Sequence, residues 1–266
     1  MYNKLEKMSV KETLIYIYTK GFSFIGAFRH LKKLNPVILL YHNVCKDGVN
    51  DLGKFFELQM SYLKDNYRII SLEELVLKLQ SVDCPVENLA AVTFDDGYMD
   101  NYDVAYPILR RMGIHATFFI SSGFIDSADN KYMTWDMIRE VADSGFITIG
   151  NHTHGHRVLK TLSKEAQAEE IRAGRQRLED MLSIKITSFA YPYGKKRHYS
   201  ADTVNIIRED GYAYAVSSFS KSMEIPNKCI YEIPRIPMDR ARNMREFEAR
   251  LSVLWSAVQS KLGRNK

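Results

Sequence analysis

Leu89-Ala-Ala-Val-Thr-Phe-Asp-Asp-Gly97 is the stretch on which the rest of the chain is read. Its first six residues carry no charge and show no polar alternation, the pattern of a strand buried on both faces. Two carboxylates then arrive together at its C-terminal end, followed by a glycine free to turn the chain. VILLY (37–41), YRII (67–70), HATFFI (115–120), FITIG (146–150), ITSFAY (186–191) and YAYAVS (212–217) repeat the apolar pattern, with CIYEI (229–233) as a weaker eighth. Between them lie helix-period segments with readable starts. Ser71 with Glu74 forms a capping box opening 72–80, and Thr134, Ser163 and Ser200 stand as N-caps before 135–143, 164–182 and 201–209. Gly145 and Gly211 follow two of the helix ends. Strands alternating with helices predict a parallel sheet, and seven or eight such units between residues 36 and 240 predict an α/β fold, a distorted (β/α)7-8 barrel. The expected organisation is a basic, partly apolar helical extension (1–35), one domain (36–240) and an amphipathic C-terminal helix (241–266).

Composition and charge narrow the function classes. The 266 residues are 45% hydrophobic and 26% charged, which excludes a disordered chain. Three cysteines (Cys45, Cys84, Cys229) without a C-x-x-C pair give neither a disulfide scaffold nor a zinc-thiolate signature. The net +5 is uneven: residues 1–35 carry +5, residues 241–266 carry +4, and the body between them −4. A nucleic-acid binder shows a basic face or a binding motif in its body, so nucleic acid is excluded as the expected partner. Residues 13–28 are apolar, yet Lys20 and Gly21 interrupt them and the run is too short to span a bilayer. Arg29-His30-Leu31-Lys32-Lys33 follows where a signal peptide has small residues, so a cytoplasmic protein is expected. This N-terminal stretch reads either as a helix packed on the domain or as an interfacial helix resting on the anionic inner face of the membrane.

The chemistry-bearing residues follow strands. His42-Asn43 comes after 37–41, Asp95-Asp96 after 89–94, His152-Thr153-His154-Gly155-His156 after 146–150, and Pro192-Tyr193-Gly194 after 186–191. In a barrel the loops after the strands open on one face, so the four clusters converge. Alone, Asp-Asp-Gly or Pro-Tyr-Gly is a turn; the joint placement is what points to function. His152 and His156, four apart, with one of the two aspartates make a two-imidazole, one-carboxylate set that leaves coordination positions for water, as a hydrolytic zinc site requires. The other aspartate is then free as a base. The same ligand types serve non-haem iron oxygenases, although the closely spaced His-x-Asp/Glu pair of those sites is missing. Both carboxylates can face the mouth if the chain turns at Gly97. His154 is assigned to the loop, and His30, His115 and His198 lack a constellation. Lys195-Lys196-Arg197 reads as a solvated loop or as a phosphate contact.

These motifs resemble the NodB-type polysaccharide deacetylases, carbohydrate esterase family 4. Thr93-Phe94-Asp95-Asp96-Gly97 matches the family's T-F-D-D-G, His152 to His156 its H-[ST]-x-x-H, and Ala190-Tyr191-Pro192-Tyr193-Gly194 its R-x-P-Y-G, with Ala190 in place of Arg. The resemblance implies Asp95 as general base, a divalent metal (most often Zn; Co, Ni, Mn or Fe as alternatives) on Asp96, His152 and His156, and the Tyr193 N–H as oxyanion donor. It implies N-deacetylation of an N-acetylated amino sugar in a polysaccharide or glycolipid, the sugar free or lipid-linked. No late L-x-H motif supplies an acid. Instead Leu40-Tyr41-His42 is similar to the early Y-H motif of the circularly permuted poly-N-acetylglucosamine deacetylases, which makes His42 the expected general acid. Pro192, Gly194, Trp135 and Lys195 are the expected substrate contacts. A deformylase acting on a lipid-linked formamido sugar and a carbohydrate-binding pseudoenzyme are the rival readings.

Overall fold

A computed structural model describes residues 35–45, 53–81, 88–218, 229–239 and 241–251. The expected extension 1–35 therefore lies outside the described residues except for Asn35, and so does the C-terminal helix beyond Leu251. Eight strands are described: β1 (Val37–Tyr41), β2 (Arg68–Ile69), β3 (Leu89–Asp96), β4 (Ala116–Ile120), β5 (Ile147–Asn151), β6 (Ser188–Ala190), β7 (Tyr214–Val216) and β8 (Ile236–Pro237). The helices are α1 (Lys54–Asn66), α2 (Leu72–Gln80), α3 (Tyr106–Met112), α4 (Ser122–Asp126), α5 (Trp135–Asp143), α6 (Lys164–Leu182), α7 (Ala201–Glu209) and α8 (Met244–Leu251), with a π-helix at Asn101–Ala105. Among the described residues, no helix is long and apolar enough to cross a membrane.

Every described strand pairing is parallel, in the order β7-β6-β5-β4-β3-β1-β8. β2 pairs with the start of β3, Arg68 opposite Leu89, on the edge that β4 takes over from Val92 onward. The sheet curls into the distorted barrel expected of the βα alternation, and its seam is not CIYEI as a strand. Ile233 bridges Val216 on β7, Pro234 then offers no N–H to continue that ladder, and the chain crosses to pair with β1 as β8. One segment thus joins both ends of the sheet.

β1, β3 and β4 are buried at every residue, which is why β1, β4 and β3 up to Phe94 read as runs without polar alternation. Phe94 is fully buried, with ring centres of Tyr41, Phe56 and Phe118 at 5.3, 5.8 and 4.9 Å. Deleting such a ring costs about 3–5 kcal/mol, so the floor beneath the following two aspartates is stiff. The caps stand where the sequence puts them: Ser71, Thr134, Ser163 and Ser200 each accept a backbone N–H of the first helical turn. Gly145 and Gly211 take the left-handed φ of 74° that ends a helix.

Candidate active site

All four polar clusters sit at the C-terminal ends of their strands. β3 runs two residues further than the apolar pattern predicts, so both aspartates are strand residues, 3% and 5% exposed. Adjacent strand side chains point to opposite faces. The turn begins at Asp96 itself, whose φ is 75°, not at Gly97 alone; this swings the second carboxylate to the mouth. Four of the six non-glycine residues with positive φ among the described residues are Asp96, Thr153, His156 and Tyr193, so backbone strain is concentrated here.

Asp96, His152 and His156 each offer a ligand atom, all within 4.8 Å of one another. His152 Nε2 and His156 Nε2 stand 3.5 and 3.2 Å from Asp96 Oδ1. That buried oxygen accepts no hydrogen bond among the described residues. His152 Nδ1 lies 2.8 Å from the Ala190 carbonyl, which fixes the Nδ1–H tautomer and leaves the Nε2 lone pair facing the carboxylate. Burial pushes both imidazoles down to about 4, in His156 with help from His152, so both are neutral at pH 7, the form a metal needs. Burial raises Asp96 even against the neighbouring histidines. A carboxylate and two neutral imidazoles converging on one point fit a divalent cation.

The loop bearing the two histidines is fixed from below. Asn151, fully buried, donates to the Ile171 carbonyl and the Tyr212 hydroxyl and accepts from Thr153 N–H. His156 N–H donates to Thr153 Oγ1 at 3.1 Å. His154 turns aside, its Nδ1 2.9 Å from Ser122 Oγ.

Asp95 points to a partner that the sequence reading did not find. Arg235, 0% exposed, donates Nη1 to Asp95 Oδ1 at 2.7 Å and Nη2 to Oδ2 at 2.6 Å, with Thr93 Oγ1 and the Ser217 carbonyl completing its bonds. Burial would raise Asp95, but the Arg235 charge, with His152 and the two hydrogen bonds, holds it below the usual carboxylate range. The guanidinium missing at Ala190 is thus supplied from the opposite side of the seam. The signal was present in Ile233-Pro-Arg-Ile-Pro-Met-Asp239, another polar pair at a strand, hidden because the strand was placed too early.

His42 follows β1, with Nδ1 3.4 Å from Asp239 Oδ2. Its burial lowers its pKa, yet Asp239, Asp95 and Asp96 more than offset this and leave it raised. Tyr193 is 51% exposed, its ring 4.7 Å from that of His156, and its N–H finds no acceptor among the described residues. Gly194 has φ 61°, and a Cβ there would lie 2.4 Å from Ser218 Oγ, which bonds the Tyr193 carbonyl. Pro192 is buried under this turn.

Trp135 goes elsewhere. Thr134 starts α5 so that the indole donates to Asp126 at 2.9 Å, and Arg177 lies 5.4 Å over its ring while doubly bonding the same carboxylate. These contacts tie α4, α5 and α6 together and involve none of the groups of the four strand-end clusters. Lys195 is half-buried at the turn; Lys196 pairs with Glu232 and Arg197 donates to His198, so the basic triplet is not a bare phosphate cradle.

Residues 83–215 match the family model described as "Polysaccharide deacetylase". The chain belongs to the polysaccharide deacetylase family. A relative in Bacillus subtilis (strain 168), YxkH, which carries a polysaccharide deacetylase name, is 32% identical over 68% of this chain and 63% of its own length. The poly-beta-1,6-N-acetyl-D-glucosamine N-deacetylase of Staphylococcus aureus (strain N315) is 28% identical over 68% of the chain and 65% of its own. The match therefore spans less than two thirds of these relatives. Among solved structures, the Streptococcus pyogenes deacetylase PplD superposes with a TM-score of 0.71 at 23% identity, covering 81% of this chain and 97% of that one. IcaB from Ammonifex degensii gives 0.71 at 24%, over 82% and 97%. Both carry the fold of this deacetylase-family chain.

Proposed function

We propose that this chain removes the N-acetyl group from N-acetylated amino sugars of a polysaccharide or glycolipid. The observation that carries this is Asp95, held ionised by Arg235, beside the converging trio Asp96, His152 and His156. The Staphylococcus aureus relative, named for hydrolysis of this amide in poly-N-acetylglucosamine, supports the substrate class. Asp96, His152 and His156 would hold a divalent cation, zinc by preference for this donor set, which supplies a Lewis acid that acidifies water and polarises the acyl oxygen.

The protein groups do the rest. Asp95 takes the proton of the attacking water; its own basicity is low because of Arg235, which is workable only for a water already made acidic. The Tyr193 N–H stabilises negative charge on the acyl oxygen, an effect worth several kcal/mol for a well-placed donor. As the C–N bond breaks, its electron pair stays on nitrogen and His42, its Nδ1 turned to Asp239, delivers the proton from Nε2. Amine and acetic acid leave, the acid ionises to acetate, the proton on Asp95 returns to solvent, and His42 takes one up again.

The test is acetate and formate release from a panel of N-acylated amino sugars by zinc-loaded protein, with Asp95→Asn and His42→Ala alongside. Acetate release lost in Asp95→Asn is the expected result. Formate release alone would move the assignment to a deformylase, and no release of either acid would make this a binding protein.

A further inference from the structure

The loop carrying His42 is held by two side chains outside every motif above. Asn101, fully buried, donates from Nδ2 to the His42 carbonyl at 2.7 Å and to Asp100 Oδ1 at 3.0 Å. Asp100 Oδ2 accepts the backbone N–H of Val44 at 2.8 Å and of Cys45 at 2.9 Å, and the Asn43 side chain also bonds this carboxylate. All four residues from His42 to Cys45 are therefore tied to one consecutive pair, across 55 to 59 positions of sequence. The pair sits three and four residues beyond Gly97, where the chain leaves the two aspartates and enters the π-helix Asn101–Ala105. Such helices are frequent at functional sites.

We propose that Asp100 and Asn101 are positioning residues that lock the His42 loop to the carboxylate end of β3, so that proton delivery to the leaving amine depends on this clamp. The inference rests on His42 being the acid of the proposed reaction. An acid must come within about 2.6–3.2 Å of the atom it protonates, and a displacement of about 1 Å can cost a hundredfold. Asp239 meets only the Nδ1 side of the ring. The clamp fixes the backbone from which the ring hangs, and it does so through the element that carries the base and a metal ligand. Acid and base thereby share one frame although they come from separate strands.

The experiment uses the zinc-loaded full chain and two substrates, an N-acetylated amino-sugar oligomer and an aryl acetate. A phenolate departs without a proton, whereas the sugar amine does not. The ratio of the two rates on one preparation is independent of how much protein is active, so partial misfolding of a variant does not obscure it. Asp100→Ala and His42→Ala are expected to lower the amide-to-ester ratio at least tenfold. Their double variant should fall no further than His42→Ala, and Asp100→Asn, which keeps an acceptor oxygen, should recover most of the ratio. An unchanged ratio in Asp100→Ala beside a lowered one in His42→Ala overturns the clamp alone, as does additive loss in the double variant. An unchanged ratio in His42→Ala overturns the acid assignment and the clamp with it.

Discussion

Replacing Arg235 by Met keeps the volume and removes both hydrogen bonds to Asp95, leaving a carboxylate that is 3% exposed without its counter-charge. Breaking a buried pair from one side costs about 3–5 kcal/mol. That cost falls on the fold; the loss in kcat/KM at neutral pH comes instead from misplacing the base, and should approach the roughly 10²–10⁴-fold that one positioned proton-transfer group contributes. The sign of the pH dependence follows from Asp95. In the wild type its folded pKa is depressed, so its stabilising contribution is complete above the unfolded carboxylate value of about 3.9 and is lost as pH falls through the lower folded value. In Arg235→Met, burial loses its largest opponent and only His152 and His42 still act against it, so the folded pKa is expected to rise and the group to destabilise the fold increasingly as pH rises through that raised value. Melting temperatures of both proteins at pH 5 and pH 8 measure this. The variant should trail by about 6–12 °C at pH 8, taking 3 kcal/mol at about 2–4 °C per kcal/mol, and by clearly less at pH 5. The acid limb of its kcat/KM profile should also move to higher pH. A melting deficit equal at both pH values, with an unmoved limb, would refute the electrostatic reasoning.

Zinc affinity, read by competition with a chromogenic chelator, should stay nearly constant from pH 8 to pH 6, because His152 and His156 take up protons only near about 4; a tenfold drop between pH 7 and 6 contradicts this. Gly174→Ala on α6 would place a Cβ 2.5 Å from the Thr153 carbonyl carbon and 2.6 Å from Asn151 Oδ1. Although alanine favours helix by about 1 kcal/mol over glycine, the variant should melt lower and bind zinc more weakly, and a higher melting temperature would show that α6 yields freely.

Much of this arrangement was legible in the chain because buried parallel strands announce themselves. β1, β4 and the first six residues of β3 read as buried runs, and the polar residues at or just past the strand ends have no packing reason to be there. The strand-end pattern brought out His152 and His156 with one of the two aspartates, and the family resemblance chose Asp96. What escaped notice depends on long-range pairing. Nothing local says that Arg235 will face Asp95, 140 residues away, and the two-residue β8 leaves almost no periodic signal. Pro234 marked the break between the β7 bridge and β8, but its meaning depends on which strand lies beside it. The contacts of Trp135 were equally hidden: Asp126 lies nine residues before it and Arg177 some forty after it, and only the packing of three helices brings them together.

The seam segment also imposes a temporal order on the molecule as it is made. Asp96, His152 and His156 all precede residue 160, so a nascent chain that has emerged past α6 already holds every proposed ligand. Arg235 and Asp239 are synthesised some eighty residues later and reach Asp95 and His42 only when β8 docks on β1. The proposed ligands are thus made well before the groups proposed for acid-base work, yet the Ala190 carbonyl and the Tyr212 hydroxyl that orient them come later, so the site is completed only as the last strands dock.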